Sequence, residues 1–383
     1  MTGRYAFLDV YRGVIVLLMV EGHVVRETLL PTLQQSDVFR MHELLHGVIG
    51  PGFLFGAGIT FGISVQRHWN EFLFLSPRCS RRLRKILLLF VLGYSLHLPF
   101  FSLSKMLTAT DTAGWISFFN FDVLQCIGLS LLLLHVVLLI VRKERFFVLS
   151  MLVLLAVVVY GAPILWRPGA TGGIPEFFAA ALQGTTGSIY PLFPYGGFLF
   201  AGGLVSYEFM KFAAQGRDRV FVLRLAIAGA GIIIAAFALD ALPVHTYAPY
   251  DFWLVSPNFF LMKLGSLFLL VAGIWVLEHR AFEEQFSTKQ GWLVLFGVES
   301  LFVYVAHLIL LYGSAFSTDS VSSMWSGSMA WGPSLGLSLA VLLLLYGLTV
   351  VWNKAKTDHA ILFRGVVWCI AGGMIAEFLT RPY

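Results

Sequence analysis

Asp9, Arg12, Glu21 and His23, all able to carry charge or move a proton, stand in the largely apolar stretch FLDVYRGVIVLLMVEGHVVRE, Phe7 to Glu27, which closes on Arg26 and Glu27. A charge at membrane depth costs about 2.5–3.5 kcal/mol even on a lenient insertion scale, so a helix that keeps several needs a reason. Asp9 lies three residues before Arg12, the helical spacing of a carboxylate–guanidinium pair. Arg12 and His23 are eleven residues apart. That is three turns plus roughly 20°, so both fall on one face, about 16 Å apart along the axis. A second stripe lies in GVESLFVYVAHLILLYG, where Ser300, Tyr304 and His307 recur at helical spacing. An imidazole can take a proton as general base or accept a group covalently. A tyrosine or lysine beside it can stabilise developing negative charge. Plainer roles stay open at this point. Asp9–Arg12 would serve as a snorkelling pair at a membrane interface, and His307 as an interhelical hydrogen-bond partner.

Other polar groups enter apolar segments at similar depth. Asp122 and Gln125 begin one in FNFDVLQCIGLS, and Lys263 begins another in SPNFFLMKLGS. His46 and His97 lie near segment ends. The basic run RCSRRLRKI, with Arg81 and Arg82, reads first as a topology signal. Arginine also suits bidentate contact with phosphate, so the run could attract a phosphorylated ligand. Residues 241–257 are aromatic and nearly uncharged; Tyr247, Tyr250 and Trp253 offer a platform for a sugar ring or an interfacial aromatic belt. The glycines of IGPGFLFGAGITFGIS have spacings that suit close helix packing.

The elements that must position these groups are apolar helices. Of 383 residues, 58% are hydrophobic and 12% charged, with mean hydropathy +0.81. Soluble domains carry about twice that share of charge. The expected fold is an all-α polytopic membrane bundle. Eleven spans are read near 7–28, 43–64, 85–103, 121–141, 146–165, 190–211, 220–240, 258–278, 292–313, 332–352 and 360–379. Lysines and arginines concentrate in alternate segments, above all Arg67 to Lys85, which places the N-terminus in the cytoplasm and the C-terminus outside. The first segment holds Arg12 and His23 and lacks a small-residue cleavage site, so it reads as a permanent span. No soluble domain or internal repeat stands out, and residues 1–383 read as a single transmembrane domain. The net charge of +5 follows topology, and no nucleic-acid partner is expected. Cys79, Cys126 and Cys369 have no ligand spacing, and no P-loop, HExxH or GxSxG motif is read; neither a disulfide framework nor a metal site is expected.

LDVYRGVIVLLMVEGH resembles the first helix of transmembrane acyltransferases, in which an arginine and a histidine recur with Arg12-to-His23 spacing. ESLFVYVAHLILL is similar to a late helix of the same superfamily. IGPGFLFGAGITFGIS, FDVLQCIGLSLLLL, YPLFPYGGFLFAGG and SPNFFLMKLGSLFLL follow in order between them. Together they resemble the bacterial branch of the heparan-α-glucosaminide N-acetyltransferase catalytic-domain family, related to the acyltransferase-3 proteins.

The resemblance implies a single acyltransferase domain in the bacterial inner membrane. It would take an acetyl or other acyl group from cytoplasmic acyl-CoA, with no metal. The acceptor would be an amine or hydroxyl, typically of a carbohydrate, at the outer face. His23 would then be the catalytic histidine, with His307 on a second family position. Arg12, supported by Asp9 and the inner-rim Arg81 and Arg82, would hold the CoA phosphates. Lys263, Tyr304, Ser300 and Trp253 would face the acceptor. Relatives carry an acidic residue just before the histidine, where this chain has Gly22. Glu21 lies about 200° round the helix from His23, so Asp122 is the expected partner for the imidazole. The acyl chain and a homodimeric state are left open. The rival readings are a secondary transporter of a small polar or anionic solute, whose buried charges couple transport, and a non-catalytic scaffold or sensor.

Overall fold

The computed structural model describes residues 5–74, 76–242, 252–253, 255–281, 291–314, 317 and 319–381. Tyr247 and Tyr250 lie outside them. The chain is all-helical, 82% helix, with no strand among the described residues.

The principal helices are α1 (Ala6–Thr28), α2 (Asp37–His46), α3 (Ile49–Arg67), α4 (Pro77–Ser95), α5 (Val123–Val141), α6 (Glu144–Leu165) and α7 (Leu192–Ala213). They continue with α8 (Asp218–Asp240), α9 (Pro257–Ala281), α10 (Trp292–Val298), α11 (Ser300–Tyr312), α12 (Trp331–Asp358) and α13 (Ala360–Thr380). Several begin where the sequence supplies a capping oxygen. Ser36 accepts from Phe39 N at α2, Ser76 from Cys79 N at α4, and Asp122 from Val123 N at α5.

Each expected span overlaps a helix, but three cross a break: 43–64 passes from α2 to α3, 85–103 runs beyond the end of α4 at Ser95, and 292–313 divides at Glu299. Seven helical segments are long and apolar enough to cross a membrane: α2 with α3, α5, α6, α8, α9, α12 and α13. The α10–α11 pair is an eighth if it is one span. It bends by 87° between Val298 and Ser300, so the expected straight span 292–313 is two helices. Helices α1, α4 and α7 fall outside the apolar set. Asp9, Arg12, Glu21, Arg26 and Glu27 give α1 too many charges for the set, while the RCSRRLRK run lowers the hydropathy of α4 and a Pro, Gly and Tyr cluster that of α7.

The chain divides into two compact units. The first comprises Met1–Ile49, Leu98–Asp111 and Val276–Tyr383. Its centre is α1, whose Tyr11, Ile15, Val16, Val20, Val24 and Val25 are almost fully buried. Helix α1 packs on α10, α11, α12 and α2. At α10 the backbones nearly touch: a Cβ on Gly13 would strike the Leu293 carbonyl, and one on Gly297 the Asp9 carbonyl. Helix α13 instead buries no residue and presents Ile361, Leu362 and Trp368 outward, as a lipid-facing helix does. The polar helix of this unit is therefore its innermost, where charges meet protein partners instead of hydrocarbon.

The second unit comprises Gly50–His97 and Thr112–Trp275. Helix α6 packs on α7, and α4 and α7 on α5. Gly58 and Gly62 of α3 lie against Leu199, Gly203 and Ser206 of α7 with no room for a Cβ, the close packing expected of that glycine run.

Candidate functional site

Helices α1 and α11 bring the two stripes together within the first unit. His23 Nδ1 lies 2.9 Å from His307 Nε2, with the rings stacked at a centroid distance of 5.1 Å. His307 is fully buried, and its Nδ1 lies 3.1 Å from the Val303 carbonyl oxygen. A carbonyl only accepts, so His307 Nδ1 carries the hydrogen and donates it. The Nε2 of a neutral His307 is then an acceptor, and the hydrogen between the rings belongs to His23 Nδ1. This hydrogen-bond order leaves the lone pair of a neutral His23 on Nε2. Tyr304, nearly buried, sets its ring edge against His307 at 5.5 Å. Ser300 opens α11 on the same stripe, immediately after the bend.

The bend has a polar anchor. Glu299, 5% exposed, accepts from Asn353 Nδ2 at 3.0 Å and from Lys356 Nζ at 2.7 Å, both on α12. A buried carboxylate needs such partners. At the start of α1, Arg12 Nη1 lies 3.5 Å from Asp9 Oδ1, so the expected pair forms. Asp9 is buried and Arg12 partly exposed.

The other expected site residues belong to the second unit. Asp122 caps α5 through Val123 N at 2.6 Å. The partner found at His23 Nδ1 is an imidazole, His307, where a carboxylate was expected. Arg81 is exposed. Arg82 is half-buried, its guanidinium 5.2 Å from the Phe61 ring centre and 5.6 Å from that of Phe72. Lys263 Nζ lies 4.1 Å over Phe259, and the Trp253 ring meets the same Phe259 edge-on at 5.2 Å. Lys263, Phe259, Phe260, Ser256, Phe198, Tyr195 and Pro194 line a small cavity.

One cluster escaped the sequence reading. Residues 42–46 are His-Glu-Leu-Leu-His, the HExxH pattern, which puts two imidazoles on one face of a helix. His42 Nε2 lies 3.1 Å from Glu21 Oε1, and His46 Nε2 lies 2.5 Å from Glu21 Oε2. The expectation that the chain carries no HExxH motif is therefore wrong: His42-Glu43-Leu44-Leu45-His46 is one. Gly22 fits this arrangement: a Cβ there would strike the His46 ring.

Outward apolar helices around a polar, histidine-bearing α1 define a multi-pass membrane protein whose protein-facing groups are equipped for proton transfer. Residues 4–230 match the family model described as heparan-alpha-glucosaminide N-acetyltransferase, catalytic, and the chain belongs to that family. The match includes Asp9, Arg12, His23, Arg81, Arg82 and Asp122, and ends before Trp253, Lys263, Ser300, Tyr304 and His307. No curated protein matches the chain.

Proposed function

We propose that this membrane acetyltransferase takes an acetyl or similar acyl group from cytoplasmic acyl-CoA. It passes the group to an amine or hydroxyl of a sugar at the outer face, with His23 as general base. The observation that carries the reading is the His23–His307 hydrogen bond, whose order presents the lone pair of His23 at Nε2. In the step envisaged, Nε2 takes the acceptor's proton as its oxygen or nitrogen attacks the thioester carbon. The C–S bond then breaks, and the CoA thiolate leaves with the proton that His23 returns. His307 positions the ring and receives the Nδ1 hydrogen bond in both protonation states of His23. Tyr304, in the same unit, is one candidate for stabilising the oxyanion; Lys263 is the other.

Arg12, with Asp9 orienting it, takes the donor end in this reading, and Arg81 and Arg82 add an inner basic rim. The eleven-span topology with a cytoplasmic N-terminus puts that end inside a bacterial inner membrane. Trp253 and Ser300 are assigned to the acceptor side. The test is acetyl transfer from radiolabelled acetyl-CoA to a panel of amino sugars by detergent-purified protein. Wild type labels at least one acceptor and His23→Ala none, while both elute as folded protein. Undiminished labelling by His23→Ala removes His23 from the mechanism.

One observation favours the transporter as a second reading. Broken helices such as α10–α11 recur at transporter binding sites. Solute uptake into proteoliposomes without acyl-CoA would support it.

A further inference from the structure

We propose that Glu21, His42 and His46 form a site for a divalent transition-metal ion of the zinc class, tying α2 to α1. The inference is independent of the acyl-transfer reading. Three ligand atoms, one from each residue, lie within 4.8 Å of one another. His46 Nδ1 is 2.7 Å from the His42 carbonyl oxygen. The carbonyl can only accept, so that nitrogen carries the hydrogen, and the Nε2 lone pair of a neutral ring points at Glu21 Oε2. Either a second proton on the imidazole or a metal ion bound by both atoms satisfies this contact, and the test below separates the two. His42 Nε2 lies against the other oxygen, Oε1, of the same carboxylate, and presents its lone pair there when its Nδ1 carries the hydrogen.

The surroundings suit a metal. Ligating histidines generally present the other ring nitrogen to a carbonyl or carboxylate, which fixes their orientation. His46 does so through the His42 carbonyl. His42 Nδ1 makes no hydrogen bond and lies 3.8 Å from Glu43 Oε1. Phe39 stacks on His42 and Trp331 meets it edge-on, giving the site an apolar wall. Two imidazoles and one carboxylate form a borderline donor set that suits zinc, with a fourth position for water. Tetrahedral bonds of about 2.0–2.1 Å place ligand atoms about 3.3 Å apart, so the 2.5 Å pair would open slightly while wider separations, all within 4.8 Å, would close.

In hydrolytic HExxH sites the glutamate serves as base. Here Glu43 is held by Arg26, through Nε at 3.3 Å and a closer contact from Nη2. A base neutralised in this way does not activate water, so the ion's role is to fasten α2 to α1. Glu21 lies two residues before His23 on a different face of α1, so the fastening acts on the helix that carries the imidazole.

The test is elemental analysis of full-length protein in detergent, purified without a polyhistidine tag, followed by Co2+ titration of chelator-stripped wild type. The expected result is about one zinc per chain in wild type, with Glu43→Gln retaining it. Glu21→Gln and His46→Ala should each reduce it at least tenfold, and stripped wild type should develop a saturable visible cobalt band. The titration stands even where a variant fails to fold. Metal-free wild type with no cobalt band would overturn the proposal and leave a Glu21–imidazolium ion pair. Zinc retained in the triple variant Glu21→Gln, His42→Ala, His46→Ala would overturn it too, as adventitious binding elsewhere.

Discussion

The two units handle their polar residues differently. In the first, histidines and carboxylates meet one another: His23 with His307, Glu21 with His42 and His46, Glu299 with Asn353 and Lys356. In the second, the more buried cations lie on aromatic rings, Arg82 on Phe61 and Phe72 and Lys263 on Phe259, while its ion pairs, such as Arg78–Glu71 and Lys211–Glu208, sit at more exposed positions. Hydrogen-bonded imidazoles can hand on a proton, whereas a cation over a ring offers charge beside an apolar surface and no proton path. On the proposed reading, proton transfer and the Arg12 donor contact fall in the first unit and the aromatic acceptor contact at Trp253 in the second, a division that substitutions can break.

The largest expected effect is that of His23→Ala. Loss of a positioned general base typically costs about 10²–10⁴-fold in rate. Acetyl transfer should fall by that much, with acetyl-CoA affinity by calorimetry unchanged. An equal loss from Lys263→Met would move the proton chemistry to the second unit.

Gly297→Ala tests whether the first unit depends on the close approach of α10 to α1. The new methyl would strike the Asp9 carbonyl, a backbone atom that cannot rotate away. Overpacking of this kind costs about 1–3 kcal/mol, and thermal unfolding in detergent should shift downward. Gly336→Ala on α12 of the same unit, where a Cβ meets nothing, is the control and should leave the transition in place.

Much of this arrangement is legible in the sequence. The apolar runs mark the helices, and Asp9–Arg12 pairs as its spacing dictates. The stripe of Ser300, Tyr304 and His307 survives because all three lie beyond the bend, on α11. The bend itself is not legible from hydropathy, because residues 292–313 form one apolar run. Its signal is Glu299, an acidic residue that a buried helix must either pair or break around. Asp122 carries a plainer signal as well: an aspartate just before an apolar helical run reads as an N-cap, and it caps α5 here. Glu21 points away from the His23 face, which the spacing shows; that it meets the histidines of HELLH needed attention to the second segment.

Arg12→Ala should weaken acetyl-CoA binding about tenfold, near the lower end of the range for a hydrogen bond to a charged group. Asp9 already neutralises part of the guanidinium's charge, so the loss stays modest. Titration calorimetry of wild type and Arg12→Ala checks it. Equal affinities would reduce Asp9–Arg12 to an interfacial pair. A like loss in Arg82→Ala would extend donor binding to the second unit.

The smallest effect belongs to Trp253→Ala. The indole is 58% exposed and rests edge-on against Phe259, so its removal leaves the helices' packing intact. An aromatic contact adds about 0.5–1.5 kcal/mol beyond area burial in a closed site; half-exposed, it should contribute toward the low end. The acceptor KM should rise about two- to threefold, with kcat and acetyl-CoA affinity unchanged. A fall in kcat with KM constant would contradict the division of labour, because a residue that only docks the acceptor stabilises ground and transition states alike.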